Sequence, residues 1–149
     1  MSKTNNNLPG RLARLRGGGV LLLGEALVEL TAASMKVRFV PFRRITSAIA
    51  RRAVRADARA VDVDRLRWAI HAAARRLPLR TKCIETALAL QAMLRRRGVV
   101  SVLHYGVRRD DEGKLGAHVW LTIDGEFVIG GECAPEFACV ATFATPVAH

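Results

Sequence analysis

A chain of 149 residues is long enough for one domain with a buried core, and with half its residues hydrophobic it is neither disordered nor fibrous. Lys and Arg number 24 against 13 Asp and Glu, a formal net charge of +11 that attracts nucleic acid, anionic lipid or acidic peptide at long range and says nothing of fold. The polar, basic N-terminus carries no apolar core of a signal peptide, which points to a cytoplasmic protein with reduced thiols.

Residues 1–18 read as a disordered basic arm, broken by Asn5-Asn6-Asn7, Pro9-Gly10 and Gly17-Gly18-Gly19. Residues 19–60 read as N-terminal helices and 61–149 as the core that carries the chemistry, in one compact domain from about residue 20. The first helix is expected from about Val20 to Met35. It is too short for a membrane span and is interrupted by Glu25 and Glu29, so it reads as a packing helix. The basic residues after it leave attachment to a membrane surface as a minor alternative.

Pro41 separates this helix from a second, at about Arg43 to Val54, apolar at Ile45, Ala48 and Ile49. Asp62 or Asp64 can cap a third, with Leu66, Ile70, Ala73 and Ala74 on one stripe, ending near Leu77-Pro78. Trp68 on it reads as core, and His71 as a surface or packing residue. Thr81 to Arg97 is the clearest helix. Thr81 is its expected N-cap, Ile84, Ala87, Leu88, Gln91 and Leu94 recur at helical spacing, and Gly98 closes it. The run Arg95-Arg96-Arg97 suits the helix dipole there and reads as a solvated end.

After Gly98 the pattern turns to strands: Val99 to Val107, Ala117 to Ile123, Glu126 to Ile129 and Cys139 to Phe143, with Asp124-Gly125 as a hairpin turn. Helices first and an antiparallel sheet afterwards give an α+β fold, with a nucleophile-bearing helix packed on the sheet.

Of the three cysteines, Cys83 alone falls in the first turn of a helix. Unpaired N–H groups and the positive end of the dipole favour a thiolate there, and Arg80 and Lys82 add positive charge. A buried structural thiol is the ordinary reading for a cysteine, and Cys133 and Cys139 read as inert. No CxxC or paired Cys/His spacing occurs, so no metal or other cofactor is expected. His118, on a strand, is the candidate base. A nucleophilic Cys at a helix N-terminus facing a strand His is the geometry of papain-like and transglutaminase-like enzymes; a structural His beside Trp120 is the alternative.

Three blocks carry a resemblance. The run Leu79-Arg80-Thr81-Lys82-Cys83-Ile84-Glu85-Thr86-Ala87-Leu88-Ala89 with Met93 to Gly98, the run Ala117-His118-Val119-Trp120-Leu121, and Val128-Ile129-Gly130-Gly131-Glu132 ending in Val140 to Phe143 stand in the order of a known set. Together they resemble the lasso-peptide leader peptidases, the transglutaminase-like cysteine proteases of lasso-peptide biosynthesis. The resemblance covers about residues 20 to 143. It implies a Cys83–His118 protease that cuts a ribosomally made precursor between leader and core. It also implies a leader-recognition protein acting in trans, expected because only the arm precedes the first helix, and a separate lasso cyclase.

In that family the third catalytic member is an Asp on the strand after the histidine strand. Here that stretch reads Ile129-Gly130-Gly131 and offers no carboxylate. Asp124 is the nearest downstream acid but suits a turn former; Glu132 can reach back; a backbone carbonyl or a water can also orient the imidazole. Two rivals from other classes are a non-catalytic peptide-binding scaffold and a basic nucleic-acid-binding protein. Against the latter, the Arg residues are scattered and no reader motif appears among five Phe, two Trp and one Tyr.

Overall fold

The computed structural model describes residues 18–57, 60–78 and 81–148. Apart from Gly18, the expected N-terminal arm lies outside the described residues, as does Arg80. Four helices come first: α1 (Gly19–Phe39), α2 (Phe42–Arg51), α3 (Val63–Arg76) and α4 (Cys83–Arg96). Four strands follow: β1 (Val102–Arg109), β2 (Leu115–Ile123), β3 (Glu126–Ile129) and β4 (Ala138–Ala144), with a 3₁₀ turn at Ala134–Glu136 before β4. The sheet order is β3-β2-β1-β4 and every pairing is antiparallel, as an α+β fold requires.

The helix ends follow local chemistry. α1 runs a turn past Met35, with Lys36 and Arg38 in its last turn, and stops two residues before Pro41, which disfavours helical backbone ahead of it. α3 starts where the Asp62 carboxylate accepts from the Arg65 N–H at 3.0 Å. The N-cap of α4 is Lys82 rather than Thr81, and the Glu85 carboxylate reaches back to accept from the Lys82 N–H at 2.8 Å. α2 ends at Arg51, short of the expected Val54, for a non-local reason. Val54 donates to the Pro146 carbonyl and accepts from the Ala148 N–H, each at 2.8 Å, so its backbone belongs to a bridge with Val147.

One buried cluster joins the layers: Ala26 and Leu30 of α1, Leu66 and Ile70 of α3, Leu90, Met93 and Leu94 of α4, and Leu103, Val119 and Leu121 of the sheet. Since β2 alternates, Val119 and Leu121 face the helices while His118, Trp120 and Thr122 face the other way. On that outer face the His104 and Trp120 rings stack at 5.4 Å, nearly parallel, and His104 Nε2 meets Thr122 Oγ1 at 2.8 Å.

The C-terminal arginine run of α4 is solvated, with Arg96 exposed, but it is also paired. Arg97 binds the Glu25 carboxylate at 2.7 Å, and Arg96 binds Glu25 at 3.2 Å and also Glu29. Two of the three arginines therefore tie α4 to α1.

Candidate active site

Cys83 is the first residue of α4. Glu85 and Thr86 both donate their N–H groups to the Lys82 carbonyl, whereas the N–H groups of Cys83 and Ile84 have no acceptor within the helix. The thiol is free and partly exposed. It lines a cavity of about 400 Å³ together with Arg67 and His71 of α3, Thr86 of α4, the end of β3 at Val128 and Ile129, and Gly130 and Glu132 beyond it.

His118 lies on the outer face of the sheet and is not among the residues that line this cavity. Its Nε2 meets the Gly130 carbonyl at 2.7 Å, and its ring lies 5.1 Å from Phe137 and 5.9 Å from Trp120. A carbonyl only accepts, so Nε2 carries the proton and Nδ1 of the neutral ring is the acceptor, the tautomer that a general base needs. The backbone that delivers this carbonyl depends on glycine. Gly130 has φ +76°, and a Cβ there would sit 2.7 Å from the Val119 carbonyl oxygen. The partner of the His118 ring is thus a backbone carbonyl, one of the orienting groups the sequence left open. Gly130 belongs both to the lining of the Cys83 cavity and to the His118 hydrogen bond. Among the described residues no hydrogen bond joins the Cys83 thiol to His118.

A family model of the transglutaminase-like superfamily matches residues 26–142. The chain belongs to the transglutaminase-like superfamily. No curated protein and no solved structure matches it. Transglutaminase-like proteins include cysteine peptidases and are often cysteine-dependent enzymes, and in this one the match takes in both Cys83 and His118.

The two acids fall in different places in this transglutaminase-like chain. Glu132 is exposed on the lining of the Cys83 cavity. Asp124 stands on the β2–β3 hairpin turn with φ +50°, followed by Gly125 at +83°, and borders a separate depression with Val61, Asp62 and Phe127. Two consecutive positive φ values are what a tight hairpin demands, and Asp124 meets that demand at the turn.

His71, read from sequence as a surface or packing residue, is on the cavity with Cys83. Burial, helped by Arg75 and Arg67 and opposed by Glu132, holds its pKa below the usual histidine value, so its ring is neutral near pH 7. The spacing that carried this signal was Arg67, His71 and Arg75, one α3 stripe beside the apolar one. Cys133 and Cys139 are exposed rather than buried structural thiols; Cys139 Sγ lies 3.9 Å from His104 Nδ1. Among the described residues no helix is long and apolar enough to cross a membrane.

Proposed function

We propose that this transglutaminase-like chain is a cysteine peptidase that removes the leader from a ribosomally made lasso-peptide precursor. The observation that carries the chemistry is the placement of Cys83 at a helix N-terminus, on a cavity it shares with the residue that holds His118. His118 Nδ1 takes the thiol proton, and the thiolate attacks the scissile carbonyl carbon. The C–N bond breaks as the same proton passes to the leaving amine. Water then adds to the thioester, giving the carboxylic acid and restoring the thiol. The N–H groups of Cys83 and Ile84 face no helical acceptor and suit the oxyanion. The Gly130 carbonyl does the acid's work of fixing the imidazole tautomer. Apo hydrogen bonds at such sites are often open and tighten around substrate, which accommodates an unbonded Cys83–His118 pair.

Selectivity for a lasso leader rests on the sequence resemblance. A separate leader-recognition protein and a cyclase are its implied partners. Leu21, Val28 and Met35, seven apart on α1 and exposed, form an apolar line on which such a partner can dock.

A second reading of the base has its own support: His71 borders the thiol's cavity directly and is held neutral. Cleavage of a precursor by the purified chain with its recognition partner separates the readings. Cys83→Ala is expected to lose about a thousandfold or more in rate, and Cys133→Ala to lose little. His118→Gln falling as far as Cys83→Ala, with His71→Gln within about tenfold of the parent, assigns the base to His118; the reverse pattern assigns it to His71. Undiminished cleavage by Cys83→Ala overturns the peptidase.

A further inference from the structure

Away from Cys83, a second cavity of about 200 Å³ opens between α1, α2 and the C-terminal half of α4. Its floor is apolar, made by Ala33, Val40, Ile45, Ile49 and Leu88. Four cations stand around that floor: Lys36, Arg44, Arg52 and Arg95. Among the described residues none of the four is in a salt bridge. Glu29 also lines the cavity, but its carboxylate is engaged by Arg96. Gln91 is 2 % exposed and its amide nitrogen is buried with no hydrogen-bond partner.

Each of these features is unfavourable alone. A buried donor without an acceptor forgoes its hydrogen bond, and like charges gathered on an apolar surface repel one another. Burial and the nearby Arg52, only partly offset by Glu29, pull Arg95 below the ordinary arginine range. An occupant carrying a carboxylate, an apolar group and a hydrogen-bond acceptor relieves all three.

We propose that this cavity receives an acidic–aliphatic segment of a partner peptide. An aliphatic side chain lies on the Ile45–Ile49–Leu88 floor, a neighbouring Asp or Glu carboxylate meets the four cations, and a peptide carbonyl accepts from Gln91 once its side chain turns the buried amide nitrogen toward the cavity. The volume decides between occupants. It falls below the roughly 300–1,000 Å³ of pockets for drug-sized ligands, so it takes one or two side chains rather than a cofactor. An inorganic anion would leave the apolar floor unfilled, and a purely aliphatic segment would leave the cations unmatched. The site does not depend on the chemistry of Cys83 and stands whether or not the thiol is catalytic.

The test uses the full chain and a short fluorescein-labelled peptide of alternating Leu and Glu, titrated by anisotropy. Saturable binding is expected, and Lys36→Glu combined with Arg44→Glu, both exposed positions, is expected to weaken it about tenfold or more. Gln91→Leu, close in volume, should weaken it several-fold while leaving thermal stability unchanged or higher, because it removes the orphaned donor. Alkylation of Cys83 by iodoacetamide at the parent rate shows that each variant is folded. Equal binding of a Leu–Gln peptide, or binding indifferent to the double charge reversal, overturns the proposal. So does saturation by sodium octanoate, or by phosphatidylglycerol vesicles, under conditions where the Leu–Glu peptide fails to bind.

Discussion

The two ends of α4 are built for opposite purposes. At its C-terminus Arg96 and Arg97 close on Glu25 and Glu29 of α1, and Met93 and Leu94 beside them are fully buried. At its N-terminus a partly exposed thiol, unpaired N–H groups and an open cavity share the first turn. One helix is thus clamped at one end so that the other end can stay undercommitted. Ionic attachment at the far end, together with the Glu85 cap on the Lys82 N–H, fixes the helix that presents Cys83, an arrangement suited to a preorganised nucleophile.

Substitutions at the two ends should therefore act on different quantities. The largest effect on rate, short of replacing Cys83 or its base, is expected from Gly130→Ala. A methyl group 2.7 Å from the Val119 oxygen, at a left-handed φ, displaces the carbonyl that holds His118. Cleavage should fall by up to about a hundredfold, more than the accompanying stability loss of roughly 2 kcal/mol explains at temperatures where the variant is folded. A variant as active as its parent would remove Gly130 from the site.

Glu25→Gln should do the reverse, lowering the melting temperature by about 2–4 °C and leaving Cys83 alkylation unchanged. The hydrogen bond from Arg97 is the main reason the Glu25 carboxyl titrates below its ordinary value of 4.5. A carboxylate with a depressed folded pKa stabilises the fold fully above its unfolded value, and that contribution is lost as pH falls through the lower folded value. The stability difference between parent and Glu25→Gln should accordingly be constant near neutral pH and shrink below about 4.5. A gap that persists unchanged into acid would mean that Glu25 acts by packing and not by charge. The smallest effect is expected at Cys139, an exposed thiol on β4: Cys139→Ala should leave both rate and melting temperature within error.

What could be read from the sequence was local. The helix that carries Cys83 announced itself by periodicity and its closing glycine, and the hairpin by Asp124-Gly125. Four helices before an antiparallel sheet followed from the change of period at Gly98. The features that escaped reading are set by residues far apart in the chain. α2 stops early because Val54 pairs with Val147, and the arginine run finds its partners more than sixty positions away on α1. The partner of the His118 ring is a backbone carbonyl, which no side-chain pattern marks; Ile129-Gly130-Gly131 showed only that no carboxylate stands in that stretch. His71 was set aside because a polar residue on the outer stripe of a helix looks solvated until the neighbouring strand is known.

The outer face of the sheet also supplies the protein with its own optical gauge. The imidazole of His104 lies flat against the indole of Trp120, and burial holds its pKa below the usual histidine value. A proton arriving there places a cation on the aromatic face, so the emission of Trp120 should report His104 ionisation at a pH below that of an ordinary histidine. With Trp68 changed to Phe, the sole remaining tryptophan would read out the integrity of the strand that carries His118, in real time and without a label.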